Sequence, residues 1–265
     1  MKRIITFILV LVCFLLFGCE IKEKAANNSV NTKVVSVTDY TIESVQDALI
    51  IASEKATASV VAIVENNALT AALGSAVVFY REQVGMQYHY FAFTNFHVVD
   101  TRSSRKILRV FLGNNTSDTG LQSTEVKLEI TNEDYDLAVI SFYSNVEIPV
   151  CSIGDSGHLK QGQLVLAVGT PISLDNFNSV TMGIVSHPYR KNYSDNHYYI
   201  QHDASINPGN SGGGLFNLEG KLIGINTSRA VKTGEDIDGI GYAIPTDTIK
   251  AVLYQELTKK GISIN

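Results

Sequence analysis

The sequence predicts an all-β protein with one helix near each end of its folded region, and three observations support this class. Eleven short runs rich in β-branched and aromatic residues follow one another between polar turns. No long helical pattern separates these runs, which argues against a parallel α/β sheet and favours an antiparallel sandwich or a pair of barrels. The 265 residues are 45% hydrophobic and 18% charged, so the chain can bury a full core.

Two predicted helices frame the β runs. Thr41 to about Ala56 places apolar residues at helical spacing, with Ser44 and Asp47 as residues typical of a helix start. The segment "TDTIKAVLYQEL" predicts a final amphipathic helix with Thr246 as its N-cap. The β runs between the helices are SVVAIV, SAVVFY, YHYFAFT, ILRVFL, EVKLEIT, LAVISF, QLVLAVG, SVTMGIVS, HYYIQHD, KLIGIN and GIGYAIP.

Residues 1–18 have the pattern of a secretory signal. "MKR" is positively charged, and the apolar run from Ile4 to Phe17 is too short to span a bilayer comfortably. The run ends in "LLFGCE", which resembles the lipobox of bacterial lipoproteins, although Phe17 stands where a small residue is usual. The resemblance implies cleavage before Cys19, lipidation of that cysteine and anchoring on the extracytoplasmic face of a bacterial cell membrane. An uncleaved signal anchor is the alternative.

Residues 19–40 are rich in Asn, Lys, Ser and Thr, which predicts a flexible tether before a folded domain at 41–265. The net charge of −5 argues against nucleic acid as a partner. With Cys19 lipidated, Cys151 has no partner for an intrachain disulfide, and its apolar context predicts a small buried side chain. The histidines lack the spacing of metal ligands, so neither a metal nor another cofactor is expected.

Three residues at the edges of β runs point to catalysis: His97 in "TNFHVVD", Asp136 in "DYDLAVI" and Ser211 in "NPGNSGGGL". Each has an ordinary interpretation when taken alone, as a core histidine, a strand-start aspartate and a polar turn. Their order and spacing, however, are those of chymotrypsin-like proteases. A serine hydroxyl needs a base to accept its proton, and an imidazole base needs a carboxylate to hold its tautomer. The combination predicts a Ser-His-Asp triad.

The motifs "TNFHVV", "DYDLAVI", "IGDSGHLKQGQLVLAVGTP", "INPGNSGGGLFNLEGKLIGINT" and "GIGYAIPTDTIK" together resemble the HtrA (Do-like) family of serine proteases over roughly Thr57 to Leu257. This resemblance implies a chymotrypsin-like double β-barrel, with two perpendicular six-stranded barrels and the active site between them. It also implies a trypsin-like serine protease domain at 41–265, cleavage of unfolded or damaged polypeptides in protein quality control, and assembly as a homotrimer.

The resemblance extends to the individual site residues. Backbone N–H groups of Gly209 and Ser211, together with that of Asn210, are expected to form an oxyanion hole, because glycine permits the tight turn that such a hole needs. Ser205 stands where trypsin-like enzymes keep an aspartate, and Ile206 and Ile240 are expected to form apolar walls. Cleavage after small or medium aliphatic residues is therefore expected.

Two features depart from the family pattern. The chain ends about eight residues after its last predicted helix, where family members typically continue into PDZ domains, so a protease domain without a PDZ domain is expected. Phe96 stands where the family usually has Asn, which predicts a packing difference without loss of chemistry.

Asp134 lies near the predicted triad aspartate, but the "DLAV" context in the family selects Asp136. Two alternatives to the HtrA function remain. One is a glutamyl-endopeptidase-like protease, although those enzymes usually carry "GNSGSP". The other is a non-catalytic peptide-binding or holdase protein on a protease scaffold.

Overall fold

The computed structural model describes residues 42–65, 72–102, 107–113, 123–192, 194–227 and 239–264. All of them belong to the unit Thr41–Asn265. The predicted signal peptide at 1–18, the lipidation site Cys19 and the tether at 19–40 lie outside the described residues. In the part of the chain that is described, no helix combines the length and the apolar character needed to cross a bilayer.

The first half of the fold is a seven-stranded antiparallel sheet with strand order β5-β4-β1-β2-β3-β7-β6. Its edge strand β5 returns towards β7, so the sheet is curled upon itself. We refer to it as the curled sheet. Its interior holds a buried cluster that includes Ile63, Val78, Tyr90 and Ile140. The strands are β1 Val60–Glu65, β2 Ala72–Val84, β3 Gln87–Thr94, β4 Leu108–Phe111, β5 Ser123–Glu125, β6 Lys127–Asn132 and β7 Leu137–Ser144.

The second half is a closed barrel with strand order β10-β13-β12-β11-β8-β9, completed by the pairing of β9 with β10. Val165, Val185, Ile200 and Leu215 belong to its buried cluster. A short 3-10 helix, Leu174–Asn176, lies between its first two strands. The strands are β8 Leu164–Gly169, β9 Ser179–Lys191, β10 Tyr198–His202, β11 Gly214–Asn217, β12 Leu222–Thr227 and β13 Gly241–Pro245.

Three α-helices accompany the strands: α1 Ile42–Thr57, α2 Phe96–Val99 and α3 Thr246–Lys259. The prediction of one helix near each end is confirmed. The prediction that Thr246 caps α3 is wrong, because Pro245 occupies the N-cap position and makes no side-chain cap. Thr246 is instead the first helical residue, and its buried hydroxyl donates to the Gly154 carbonyl at 3.0 Å. The helix starts directly from strand β13, which leaves no loop residue to cap it.

The chymotrypsin-like double-barrel class predicted from the sequence is confirmed, with more strands than the β runs indicated. Strand β11 was missed because it follows directly on the glycines of the "NSGGGL" motif, where glycine argues against a strand. The run "EVKLEIT" is divided between β5 and β6 at Val126.

A third buried cluster unites the two halves of the fold. It includes Phe79 and Phe93, whose rings stack at 3.8 Å on the curled sheet, and Phe216 and Leu222 of the closed barrel. Leu253 of α3 belongs to the same cluster.

Candidate active site

His97 lies on the single turn of α2, directly after strand β3, and its side chain is 34% exposed. Its ring Nδ1 lies 2.8 Å from Asp136 Oδ2 and 3.0 Å from Oδ1. The backbone N–H of His97 donates to the same carboxylate at 3.0 Å. When Nδ1 donates to a carboxylate, Nε2 of a neutral imidazole keeps its lone pair. The ring is thus oriented with a basic nitrogen directed away from Asp136.

Asp136 is 2% exposed and ends the turn between β6 and β7, with a positive φ of 54° that aspartate tolerates better than most residues. Its own carbonyl accepts hydrogen bonds from the Phe96 N–H and from Asn95 Nδ2, each at 3.1 Å. Its carboxylate accepts the two bonds from His97 and a third from the Thr227 hydroxyl at 2.9 Å. Several donors therefore stabilise this buried charge and fix its direction.

Thr227 is a site residue that the sequence reasoning missed. It ends strand β12 in the quoted "GINT" and is 1% exposed, and its hydroxyl connects the closed barrel to Asp136. The motif contained the residue, but nothing in it indicated a contact across 91 positions. Asp134, by contrast, is 78% exposed and lies 3.5 Å from His197 Nε2, so it does not pair with His97.

Ser211 lies in the connection from β10 to β11 and is 4% exposed. Gly209 has φ +102°, and a Cβ there would collide with the Thr170 carbonyl. Gly212 has φ +81°, and a Cβ there would collide with the Ser75 carbonyl. The glycines on both sides of Ser211 are thus required both by the backbone conformation and by close packing.

Backbone hydrogen bonds close this loop. The Pro208 carbonyl accepts from the Ile172 N–H at 2.8 Å, and the Asn210 carbonyl accepts from the Gly213 N–H at 3.0 Å. The Asn210 N–H donates to the Asn207 carbonyl at 2.9 Å. Asn210, expected as an oxyanion donor, therefore has its N–H engaged within the turn in this conformation, which is a correction to that expectation.

The three residues expected to bind substrate lie on or beside the closed barrel. Ser205 has an exposed side chain, and its carbonyl accepts from the Thr181 hydroxyl at 2.9 Å. Ile206 is partly buried against the interior of the closed barrel. Ile240 directly precedes β13 and is 38% exposed. Residues 228–238, between β12 and β13, lie outside the described residues.

Phe96 takes the place of the usual Asn without disturbing His97. Its side chain is 7% exposed, and the Arg102 guanidinium lies 4.9 Å from its ring centre. Arg102 also pairs with Asp100 and Glu133 at 2.8 and 3.0 Å. The bulky ring is thus accommodated by burial and by its packing against Arg102.

Cys151 lies against the cluster between the two halves, and burial raises the pKa of its thiol to about 12. A thiol with such a pKa stays protonated and is a poor nucleophile, in agreement with the predicted inert side chain. Within the described ranges, no group of three or more His, Cys, Asp or Glu residues is arranged to hold a metal ion.

Comparison with known proteins identifies similar sequences and one similar solved structure. The chain is 37% identical over 198 residues to a serine protease Do-like HtrA from Bacillus subtilis, covering 71% of this chain and 40% of that protein. It is 36% identical over 193 residues to a protein of the same name from Lactobacillus helveticus, covering 71% of this chain and 43% of that one. The chain thus spans less than half the length of these curated relatives.

A solved structure of the HtrA-type protease AlgW with a tripeptide has a TM-score of 0.61 and 30% identity, covering 80% of this chain and 64% of that one. The resemblance to HtrA proteases is therefore confirmed by sequence and by fold. The family described as trypsin-like peptidase domain matches residues 74–225, which include His97, Asp136 and Ser211. The chain belongs to this trypsin-like peptidase domain family.

Proposed function

We propose that this protein is a serine endopeptidase in which His97, Asp136 and Ser211 form the catalytic triad. The observation that carries the proposal is the pairing of His97 Nδ1 with the buried carboxylate of Asp136 at 2.8 Å, next to a nucleophile loop shaped by glycines. This arrangement supplies an imidazole of fixed tautomer, which a serine hydroxyl requires for attack at neutral pH.

In the proposed mechanism, Ser211 Oγ attacks the scissile carbonyl while His97 Nε2 accepts its proton. The imidazolium that forms is stabilised by the Asp136 carboxylate, which is held in place by its bonds from His97 and Thr227. His97 then protonates the leaving amine, and water hydrolyses the acyl enzyme by the same steps in reverse order.

The developing oxyanion is assigned to the backbone N–H groups of Gly209 and Ser211. The Pro208 carbonyl is directed to Ile172, so the Gly209 N–H of the same trans peptide points the opposite way. Removing one oxyanion donor typically costs ~100- to 1000-fold in turnover. The geometry of this loop therefore contributes to turnover in addition to the triad.

The proposed specificity is for small or medium aliphatic residues before the scissile bond. Ser205 supplies no charge where trypsin-like enzymes have one, and Ile206 and Ile240 supply apolar surface. Burial of an aliphatic side chain contributes ~1.5 to 3 kcal/mol, whereas an unpaired cation there would be strongly unfavourable. Mass-spectrometric mapping of cuts in an unfolded substrate tests this; cuts mainly after Glu would favour the glutamyl-endopeptidase alternative, and cuts after Lys or Arg would also exclude the aliphatic pocket.

The proposed setting is the extracytoplasmic face of a bacterial membrane, with residues 1–18 as signal peptide, Cys19 as lipid anchor, residues 19–40 as tether and residues 41–265 as protease domain. A relative from Marinomonas sp., 38% identical over 166 residues, is a probable periplasmic serine endoprotease DegP-like, which supports export. Unfolded polypeptides as substrates and a homotrimeric assembly complete the proposal. Fractionation of a Cys19→Ser variant tests the anchor, since release from the membrane is expected.

Fluorophosphonate labelling combined with casein digestion tests the central assignment. Wild-type protein should be labelled and should digest casein, and Ser211→Ala should do neither while keeping its thermal unfolding midpoint. His97→Ala should lose digestion to a similar extent, because triad members act as a unit. Undiminished digestion by Ser211→Ala would exclude the assignment, and a folded but inactive wild type would favour the non-catalytic holdase alternative.

A further inference from the structure

Ser75 of strand β2 is a buried serine that the triad chemistry does not use. It is 0% exposed and pairs with Ala62 of β1 within the curled sheet. Its backbone N–H nevertheless donates to the carbonyl of Ser211, on the opposite side of the cleft, at 2.8 Å. A residue of the curled sheet is therefore bonded directly to the nucleophile's own peptide group.

The Ser75 hydroxyl makes two further bonds to the closed barrel. It donates to the Gly209 carbonyl at 2.8 Å and accepts from the Thr170 N–H, just after strand β8, at 3.0 Å. The Ser75 carbonyl accepts from the Thr94 hydroxyl at 2.7 Å, which holds Ser75 to the strand that leads to His97. Every polar group of Ser75 is thus engaged in or beside the site.

These bonds constrain the most flexible point of the nucleophile loop. Two peptide planes meet at Gly209, and without a Cβ its φ and ψ could take many values. The plane before it is held by the bond from the Ile172 N–H to the Pro208 carbonyl. The plane after it is held by the Ser75 hydroxyl on the Gly209 carbonyl. The backbone at Gly209, with its φ of +102°, is therefore held from both halves of the fold: Ile172 fixes the plane that carries the Gly209 N–H, and Ser75 fixes the plane that follows it.

We propose that Ser75 is a positioning residue for the oxyanion hole. Its hydroxyl holds the Gly209–Asn210 peptide and its N–H holds the Ser211–Gly212 peptide, which are the two planes on either side of the peptide that carries the Ser211 N–H. The inference rests on the proposed serine endopeptidase function. Because the oxyanion donors bind a charge that develops only in the transition state, we expect the Ser75 hydroxyl to affect the transition state more than the ground-state binding of substrate.

Ser75→Ala removes the hydroxyl and keeps the backbone bond to Ser211. Misplacement of a catalytic group by about 1 Å can cost ~100-fold, so we expect kcat to fall by about 10- to 100-fold. KM for a peptide substrate should change by less than about twofold, because interactions made only in the transition state affect kcat. Ser59→Ala is the matched control: Ser59 is also 0% exposed, and its hydroxyl bonds a backbone carbonyl, that of Ala56 at the C-terminal end of α1.

A peptide boronate supplies a readout that a purely structural role would not change. Its tetrahedral adduct with the serine places an oxygen in the oxyanion hole, so Ser75→Ala should weaken its binding by about the same factor as kcat. Ser75→Thr and Ser75→Val form an isosteric pair that differs in the hydroxyl, and only the threonine should retain activity and boronate affinity. Unfolding midpoints of all variants identify any loss that is due to folding.

Three outcomes would overturn the proposal while wild type remains active: full activity in Ser75→Ala, equal activity in the Thr and Val variants, or a kcat loss with unchanged boronate affinity. A wild type that is folded but hydrolyses nothing would overturn the proposed function and this inference together. Loss of kcat with parallel loss of boronate affinity, restored by threonine alone, supports it.

Discussion

The curled sheet and the closed barrel each bury an ionisable side chain, and they stabilise it in opposite ways. Glu129 of the sheet has a 5% exposed side chain that is bonded by Lys127, Lys260 and Ser141 at 2.8 to 2.9 Å. His202 of the barrel is 0% exposed, and neither of its ring nitrogens makes a hydrogen bond within the described ranges. Charged and polar partners dominate around the Glu129 carboxylate, whereas burial dominates around the His202 ring.

The pKa values of Glu129 and His202 show the effect of these different surroundings. Burial alone would raise the pKa of Glu129, but the bonds from Lys127, Lys260 and Ser141 outweigh it and lower the pKa to about 2. Burial lowers the pKa of His202 to about 4, although nearby Asp203 and Asn226 oppose the shift. A low pKa therefore reflects a stabilised charge in the sheet and an excluded charge in the barrel.

Asp136 is a second buried carboxylate of the curled sheet with several hydrogen-bond donors, and Asp136→Asn should have the largest effect on turnover. An amide in this position favours the wrong tautomer of His97, so turnover should fall by up to ~10⁴-fold with the fold intact. Steady-state kinetics on a peptide substrate measures the loss. Asp134→Asn is the control, because Asp134 is exposed and does not bond His97. A loss in Asp134→Asn that matched the loss in Asp136→Asn would contradict the assignment.

The stability of the protein in acid tests the burial of His202 in the closed barrel. His202 has a folded pKa of about 4 against an ordinary 6.5, so only the unfolded chain gains a proton between these pH values. Stability is fully present above pH 6.5 and should fall by about 3 kcal/mol as the pH drops to about 4. Urea unfolding of wild type and His202→Leu across this range measures the change. The leucine variant should lose most of this pH dependence; an unchanged slope would contradict the role of His202.

Glu129→Gln tests, at lower pH, how much the ionised Glu129 carboxylate stabilises the curled sheet. The folded pKa of about 2 lies below the ordinary 4.5, so the stabilisation is present above pH 4.5 and is lost as the pH falls towards 2. Its partner Lys127 has a 75% exposed side chain, so solvent screening reduces the effect to about 2 kcal/mol at neutral pH. Urea unfolding at pH 7 and pH 3 should show a wild-type advantage that shrinks in acid. An equal difference in unfolding free energy between wild type and Glu129→Gln at both pH values would contradict the stabilising role of the Glu129 carboxylate.

What could be predicted from the sequence depends on whether an interaction is local or distant along the chain. His97, Asp136 and Ser211 could be predicted because each lies in a motif whose residue types the chemistry demands. Thr227 and Ser75 could not, since their roles depend on contacts across 91 and 134 positions. Thr246 was misjudged as a cap because its partner, Gly154, lies 92 positions away.

The smallest and most specific effect is expected at Thr227. Its hydroxyl donates the hydrogen bond from the closed barrel to the Asp136 carboxylate of the curled sheet. Thr227→Val keeps the shape but leaves Asp136 with one donor fewer, so the imidazolium is less well oriented and kcat should fall about tenfold. Thr227→Ser keeps the hydroxyl and should stay within about twofold of wild type. Steady-state kinetics on one peptide substrate, with unfolding midpoints for all three proteins, distinguishes a lost bond from a packing defect. Equal activity in the two variants would mean that the two halves of the site act independently of this bond.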